Sequence, residues 1–291
     1  MEARKPLGII ELETGLKEIF PTNDFFLNYM FDKPEYWEVL RNMVNIFVRK
    51  YKTQMPETKV CTIDGEIQVE TQYSYYMGKI NVSKNQDLKI TELAPNMTFV
   101  EVQNKASTKP PIETRAIEYL GLSLGHNSGK NITQIWILAE DVDSVLKGEI
   151  FANYVFKNEQ TGESYPINTS LMFISLRKLA PWADECAELA QFLLGKNSLP
   201  TSETVKAIIK GFEKAFVEMK DDKEAKFGMS ALDKYRLNYL EEGREEGREE
   251  GIEIGQLSTA KEMYKDGFTL EQIVKYVTLP IDKVKEAIAA I

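Results

Sequence analysis

Histidine is nearly missing from this chain. His126 is the single one among 291 residues, which excludes a His-rich metal site and argues against a Ser-His-Asp triad, because one imidazole would have to serve as the base. Two cysteines, Cys61 and Cys186, cannot build a disulfide framework, and neither lies in a metal-ligand spacing. No apolar run approaches the ~20 residues that a membrane helix needs. The opening Met1-Glu-Ala-Arg-Lys has no apolar signal core behind its charges. Together these absences predict a soluble, cytoplasmic protein of a reducing compartment, with no membrane partner. What is present is a globular composition, 43% apolar and 28% charged, which rules out a disordered or collagen-like chain. The net charge is −9 and is unevenly spread. Residues 241–291 hold 7 Lys+Arg against 12 Asp+Glu, leaving 29 against 33 in residues 1–240. The body is close to neutral and leaves room for a local basic face.

The first 55 residues read as helical. Thr22-Asn23-Asp24 has the character of an N-cap ahead of Phe25, Phe26, Met30 and Phe31. After Pro34, apolar residues from Tyr36 to Val48 recur at helical spacing. The pattern then turns to strands. Asp64-Gly65 signals a hairpin between Val60–Ile63 and the Ile67–Met77 run. A third strand is predicted at Asp87–Ile90, a turn at Ala94-Pro95-Asn96, and a fourth strand at Thr98–Gln103. Pro110-Pro111 precedes a helix to about Gly125, and Ile132–Ala139 reads as a strand buried on both faces. Strands near Phe151–Phe156 and Leu171–Leu176 flank a Gln160–Glu163 turn, and helices fill the chain from Ala180. This order predicts an α+β or mixed α/β domain with a helical tail.

The stretch that can carry chemistry runs from Asp87 to Arg115. If Pro95-Asn96 turns a hairpin, Asp87 and Glu101 fall on adjacent strands with their carboxylates on one side. Two carboxylates and a backbone carbonyl such as that of Val102 suit a hard cation such as Mg²⁺. Gln103, two residues on, shares the face of Glu101, and so does Lys105 if the strand stays extended. Three polar groups in alternation predict a face turned away from the core. The same pattern also describes a plain solvated sheet face. Against that stands Glu101 itself, an acid between Val100 and Val102 in a predicted sheet centre.

Asp87-Leu-Lys-Ile, then Val100-Glu101-Val102-Gln103, then Arg115 and Tyr119 in the next helix, resemble the PD-(D/E)XK nuclease family transposases, or recombination-promoting nuclease-like proteins. The resemblance takes in the Phe25-Phe26…Met30-Phe31 opening, the Glu38…Asn45 helix, the repeated Glu-Glu-Gly-Arg tail and the closing two-helix segment. It implies a restriction-endonuclease-like central sheet flanked by helices, in a nuclease-like domain over residues 22–220. Residues 1–21 precede this domain. A charged helical linker over 221–257 and a two-helix unit over 258–291 follow it. It implies metal-dependent DNA cleavage tied to recombination or transposition, with Asp87 and Glu101 as ligands of Mg²⁺ or Mn²⁺ and Glu38 as an extra carboxylate. Gln103 falls where many such enzymes carry lysine; its neutral amide can only orient water. Lys105 is the residue able to return the missing cation. Arg115 and Tyr119, four apart, share a helical face. Arg115 suits a phosphate of DNA, or pairs internally with Glu118 or Glu101, while Tyr119 suits packing. The alternative class is a non-catalytic DNA-binding or regulatory protein with a weakened site.

Elsewhere the bland assignments prevail. His126 reads as a helix C-terminal residue. Glu66-Ile-Gln68 and Glu70-Thr-Gln72 repeat the acid-x-Gln spelling but read as exposed strand faces, and Tyr73, Tyr75 and Tyr76 as sheet packing rather than base stacking. Gly243, Gly247, Gly251 and Gly255 recur every four residues. Each costs about 1 kcal/mol in a helix, so the segment reads as a frayed helix or linker, or as a homo-oligomer contact along the glycine line.

Overall fold

The structure, a computed structural model, describes residues 4–77, 80–92, 96–127, 129–165, 168–197 and 199–289, with backbone alone at 72–77, 80–87, 92, 236–243, 246 and 249. The chain divides into two compact units, Met1–Phe227 and Gly228–Ile291.

The first unit opens with strands, not helix. β1 (Gly8–Leu12) and β2 (Gly15–Ile19) form an antiparallel hairpin. Ile10 and Leu12 are buried while Ile9 and Glu11 are exposed. That period of two belongs to a strand, and Gly15 takes the turn at φ +116°, a conformation glycine adopts without strain. The expected helices follow. α1 (Asp24–Phe31) is capped by Asn23, whose side chain accepts from the Phe26 N–H at 3.0 Å, and α2 covers Trp37–Gln54.

The Val60–Ile63 strand and its Asp64-Gly65 hairpin do not form. Residues 58–66 are irregular, although Val60 and Ile63 are buried. The buried Asn45 side chain of α2 explains this. Its amide donates to the Ile63 carbonyl at 2.8 Å and accepts from the Ile63 N–H at 2.7 Å. Both backbone groups of Ile63 are thereby satisfied without a strand partner.

β3 (Ile67–Met77), β4 (Ile80–Glu92), β5 (Asn96–Gln103), β6 (Asn131–Leu138), β7 (Phe151–Val155) and β8 (Thr169–Ser175) make one mixed sheet in the order β3-β4-β5-β6-β8-β7. β5, β6 and β8 are parallel neighbours; the other pairings are antiparallel. The predicted third strand is the end of β4, and the Ala94-Pro95 turn lies outside the described residues. α3 (Ile112–His126) crosses from β5 to β6. It packs with α4 (Asp143–Leu146) on the face that carries Phe99, Trp136 and Phe173. The opposite face carries Leu88, Val100, Ile135 and Ile174, all buried. α2 reaches that side, where Tyr51 meets Phe151 at 5.7 Å. Short α5 (Leu176–Leu179), α6 (Glu185–Leu193) and α7 (Glu203–Asp221) complete the unit. Phe212 of α7 contacts Phe26, Phe31 and Phe192 at 5.8, 6.2 and 5.3 Å.

α8 (Lys223–Lys265) runs continuously through the Glu-Glu-Gly-Arg repeats into the second unit. There α9 (Leu270–Ile273) and α10 (Ile281–Ala289) bury Ile273, Val277 and Val284 against Ala260. A Cβ at Gly247, Gly251 or Gly255 would meet nothing within 4 Å. Among the described residues no helix is long and apolar enough to cross a membrane.

Candidate functional site

The ladder between β4 and β5 is short. Its last pair is Leu88 with Val100, and β5 then runs on to Gln103 beside β6 alone. Asp87 and Glu101 are the first residues of the two strands beyond that pair. The two strands part there, and both predicted acids stand at the fork. The Asp87 side chain lies outside the described residues.

Glu101 is only 3% exposed, on the face packed by α3 rather than on a solvated one. Its Cα partner on β6 is Trp136, so the polar face expected from Glu101, Gln103 and Lys105 is a core face. The strand ends at Gln103, and Lys105 is exposed beyond it. The Lys105 carbonyl accepts from the Gln103 amide at 3.2 Å.

Arg115 ties the cluster together. Its Nη1 donates to Gln103 Oε1 at 2.8 Å, and its Nη2 lies 3.9 Å from Glu101 Oε2. The guanidinium lies 5.4 Å from the Trp136 ring centre and 5.6 Å from that of Tyr119, distances at which a cation is attracted to an aromatic ring. Tyr119 in turn stacks on Trp136 at 5.9 Å. One turn of α3 thus delivers a cation and an aromatic ring to the same patch around Trp136, as their spacing of four allows. Of the two alternatives for Arg115, the internal pair with Glu101 is present. The Tyr119 ring packs.

The remaining predicted residues lie apart. Glu38 sits on α2, whose Tyr51 packs on the opposite face, and is bound by Arg41 and by the Asn42 amide of its own helix. It is not brought to Glu101 among the described residues. His126 is exposed at the end of α3, its Nδ1 3.0 Å from the Leu122 carbonyl. Glu66, Gln68 and Glu70 are exposed, as expected. The side chains of Tyr73, Tyr75 and Tyr76 lie outside the described residues.

Two neighbours escaped the sequence. Gln134 is wholly buried, and neither its amide oxygen nor its nitrogen has a partner among the described residues; the same holds for Trp136 Nε1. Gln134 interrupts the apolar Ile132–Ala139 run, the one signal that could have marked it. Lys89 is 7% exposed and meets Glu70 at 2.7 Å. It pairs with Phe99, so this buried cation shares the sheet face of Glu101.

Glu101 offers a carboxylate oxygen. Gln103 turns its carbonyl to β6, where the Ala139 N–H meets it at 2.9 Å, so strand alternation turns the Val102 carbonyl towards β4. These are oxygen donors of the kind Mg²⁺ takes. Among the described residues no group of three His, Cys, Asp or Glu side chains is assembled around them. No protein-family model, no curated protein and no solved structure matches the chain.

Proposed function

We propose that the protein is a divalent-metal-dependent DNA endonuclease with a restriction-endonuclease-like core, acting in recombination or transposition. The observation that carries this is Glu101, a carboxylate buried mid-sheet at the point where β4 and β5 part, with Asp87 at the matching position of β4. Burying a carboxylate costs several kcal/mol unless a cation or strong donors meet it, and Arg115 stands 3.9 Å from it. In this reading Asp87, Glu101 and the Val102 carbonyl would hold Mg²⁺ or Mn²⁺, which would supply an activated water and counter-charge for the phosphate oxygens. Arg115, 22% exposed, keeps guanidinium N–H groups beyond those used by Gln103 and aims them at a phosphate. Gln103, held by Arg115, fixes the guanidinium and orients water.

A second reading is favoured by the same bond. A Gln103 oxygen occupied by Arg115 cannot accept from water at that lone pair, and a guanidinium beside Glu101 competes with a metal. A DNA-binding protein without cleavage activity would keep this arrangement. Nicking of supercoiled plasmid in Mg²⁺ or Mn²⁺, by the wild type and by Glu101→Gln, separates the two. Metal-dependent nicking lost in the variant supports the endonuclease; DNA retention without nicking in either protein selects the second reading.

A further inference from the structure

A cavity of about 630 Å³ opens in the first unit where the flanks of the β1–β2 hairpin meet the C-terminal end of α6, the turn after it and α7. Four lysines line it, Lys5, Lys196, Lys206 and Lys210, against one acidic residue, Glu213. Its wall also contains Phe192, half-buried, and the apolar side chains of Leu7 and Ile209.

The cations are held together at a cost. Lys206 and Lys210 are one turn apart on α7, and like charges at that spacing destabilise a helix by a few tenths of a kcal/mol. Only Lys206 is answered locally, by Glu203 at 2.7 Å. Lys5, Lys196 and Lys210 form no ion pair among the described residues. Backbone bonds hold the main chain of two of them at the cavity. The Lys5 N–H donates to the Gly195 carbonyl at 2.6 Å. Gly195, at φ +69°, lies so close that a Cβ there would stand 2.8 Å from the Lys5 carbonyl oxygen. The Lys196 N–H closes back on the Gln191 carbonyl at 2.9 Å. In a chain of net charge −9, a lysine cluster beside an apolar and aromatic wall suits an anion that carries a flat apolar group.

We propose that this cavity binds a nucleotide of a nucleic-acid strand, its phosphate on the lysines and its base against Phe192. The volume falls in the range of small-molecule sites, roughly 300–1,000 Å³. Lysine with an aromatic ring is the usual composition of single-strand binding surfaces. The strand, rather than a free nucleotide, is favoured by continuity with the candidate site. Pro21 lines the cavity, and the next residue, Thr22, is clasped by Asn104: its hydroxyl donates to Asn104 Oδ1 and its carbonyl accepts from Asn104 Nδ2, both at 2.6 Å. Asn104 follows Gln103 directly, so the cavity wall is fastened to the end of the strand that bears Glu101. The inference rests on the endonuclease reading for its biological sense but not for its test.

The test is fluorescence anisotropy of a labelled 20-nucleotide oligo(dT) in EDTA, where no cleavage occurs, over a series of salt concentrations. Lys196→Gln/Lys210→Gln should weaken binding at low salt about tenfold or more and lower the salt slope by about 1.4, the value for two lost contacts to a single strand. Its melting temperature should stay that of the wild type, since neither lysine is paired. Phe192→Leu, which keeps an apolar wall, should weaken binding more weakly and leave the slope unchanged. Unchanged affinity in the double variant, or no binding by the wild type, overturns the proposal. Competition by thymidine monophosphate as strong as by unlabelled oligo(dT) overturns the assignment to a strand. Loss of nicking readiness in the wild type with lysine-dependent binding intact would defeat only the endonuclease reading, and nicking with lysine-independent binding only this one.

Discussion

The chain spells acid-x-Gln on two strands of one sheet, at Glu70-Thr-Gln72 and at Glu101-Val-Gln103, and the two acids end in opposite environments. The side chain of Glu70 is 53% exposed and that of Glu101 is 4% exposed. Glu70 lies on β3 at the end of the sheet order; Glu101 lies on β5, under α3 and beside Trp136. Each meets a cation, but with inverted burial. Lys89 is the buried partner of an exposed acid, and Arg115 the more exposed partner of a buried one. A three-residue spelling therefore carries no chemistry by itself. The position in the sheet decides whether the carboxylate is solvated or buried beside a cation.

The strongest break of this comparison is in activity. Glu101→Gln should lower metal-dependent plasmid nicking by about 100-fold or more, since a lost metal-holding charge is worth several kcal/mol. Glu70→Gln should stay within about twofold of the wild type. Equal losses in the two variants would show that burial does not mark the active acid.

Stability offers the next contrast. Arg115→Ala should cost about 2–3 kcal/mol in urea unfolding, less than the penalty for orphaning a fully buried charge because the pair is long and partly wet. Adding Glu101→Gln should return part of that loss. Lys89→Met on the other pair should cost under about 1 kcal/mol, since a buried lysine stem becomes an apolar one and Glu70 stays in water. Additive losses in the Arg115/Glu101 double variant would mean that the two groups do not interact.

Gln103→Lys sharpens the picture at a smaller scale. The hydrogen bond from Arg115 is lost and an ammonium is set beside the guanidinium, so about 1–2 kcal/mol of stability should disappear. Nicking should persist at 25 °C, where the protein remains folded, because a cation beside the attacking water replaces the amide. A variant as stable as the wild type that no longer nicks would sink the water-orienting role. The smallest effect is expected for Glu70→Gln in the same unfolding assay, below about 1 kcal/mol.

Much of the architecture was legible because the local signals agreed with the global packing. Asn23 caps α1, the Ile132–Ala139 run is the buried β6, and Gly162 turns at φ +71° between β7 and β8. The N-terminal hairpin was not legible, because two five-residue strands are too short for a period of two to stand out against the helical pattern that follows. Residues 60–63 have strand composition, and only the distant Asn45 takes the backbone bonds a strand would need. At the site, the residues that meet could be named, but not their burial. Alternation of Glu101 and Gln103 says that they share a face; that α3 covers this face, laying Tyr119 on Trp136 of β6, is a fact of tertiary packing.

The parting of β4 from β5 has a consequence for isotope exchange. Leu88–Thr91 of β4 are flanked by strands on both sides, whereas Ile80, Asn81, Asn85 and Gln86 pair with β3 and, among the described residues, with no second strand. A continuous strand thus contains two populations of amide protons. The later ones exchange only when the sheet opens as a whole, and the earlier ones exchange whenever the two-stranded ribbon breathes. The boundary falls at Asp87, so any ligand that bridges the fork slows deuterium uptake ahead of Leu88 and leaves the rest of β4 as it was.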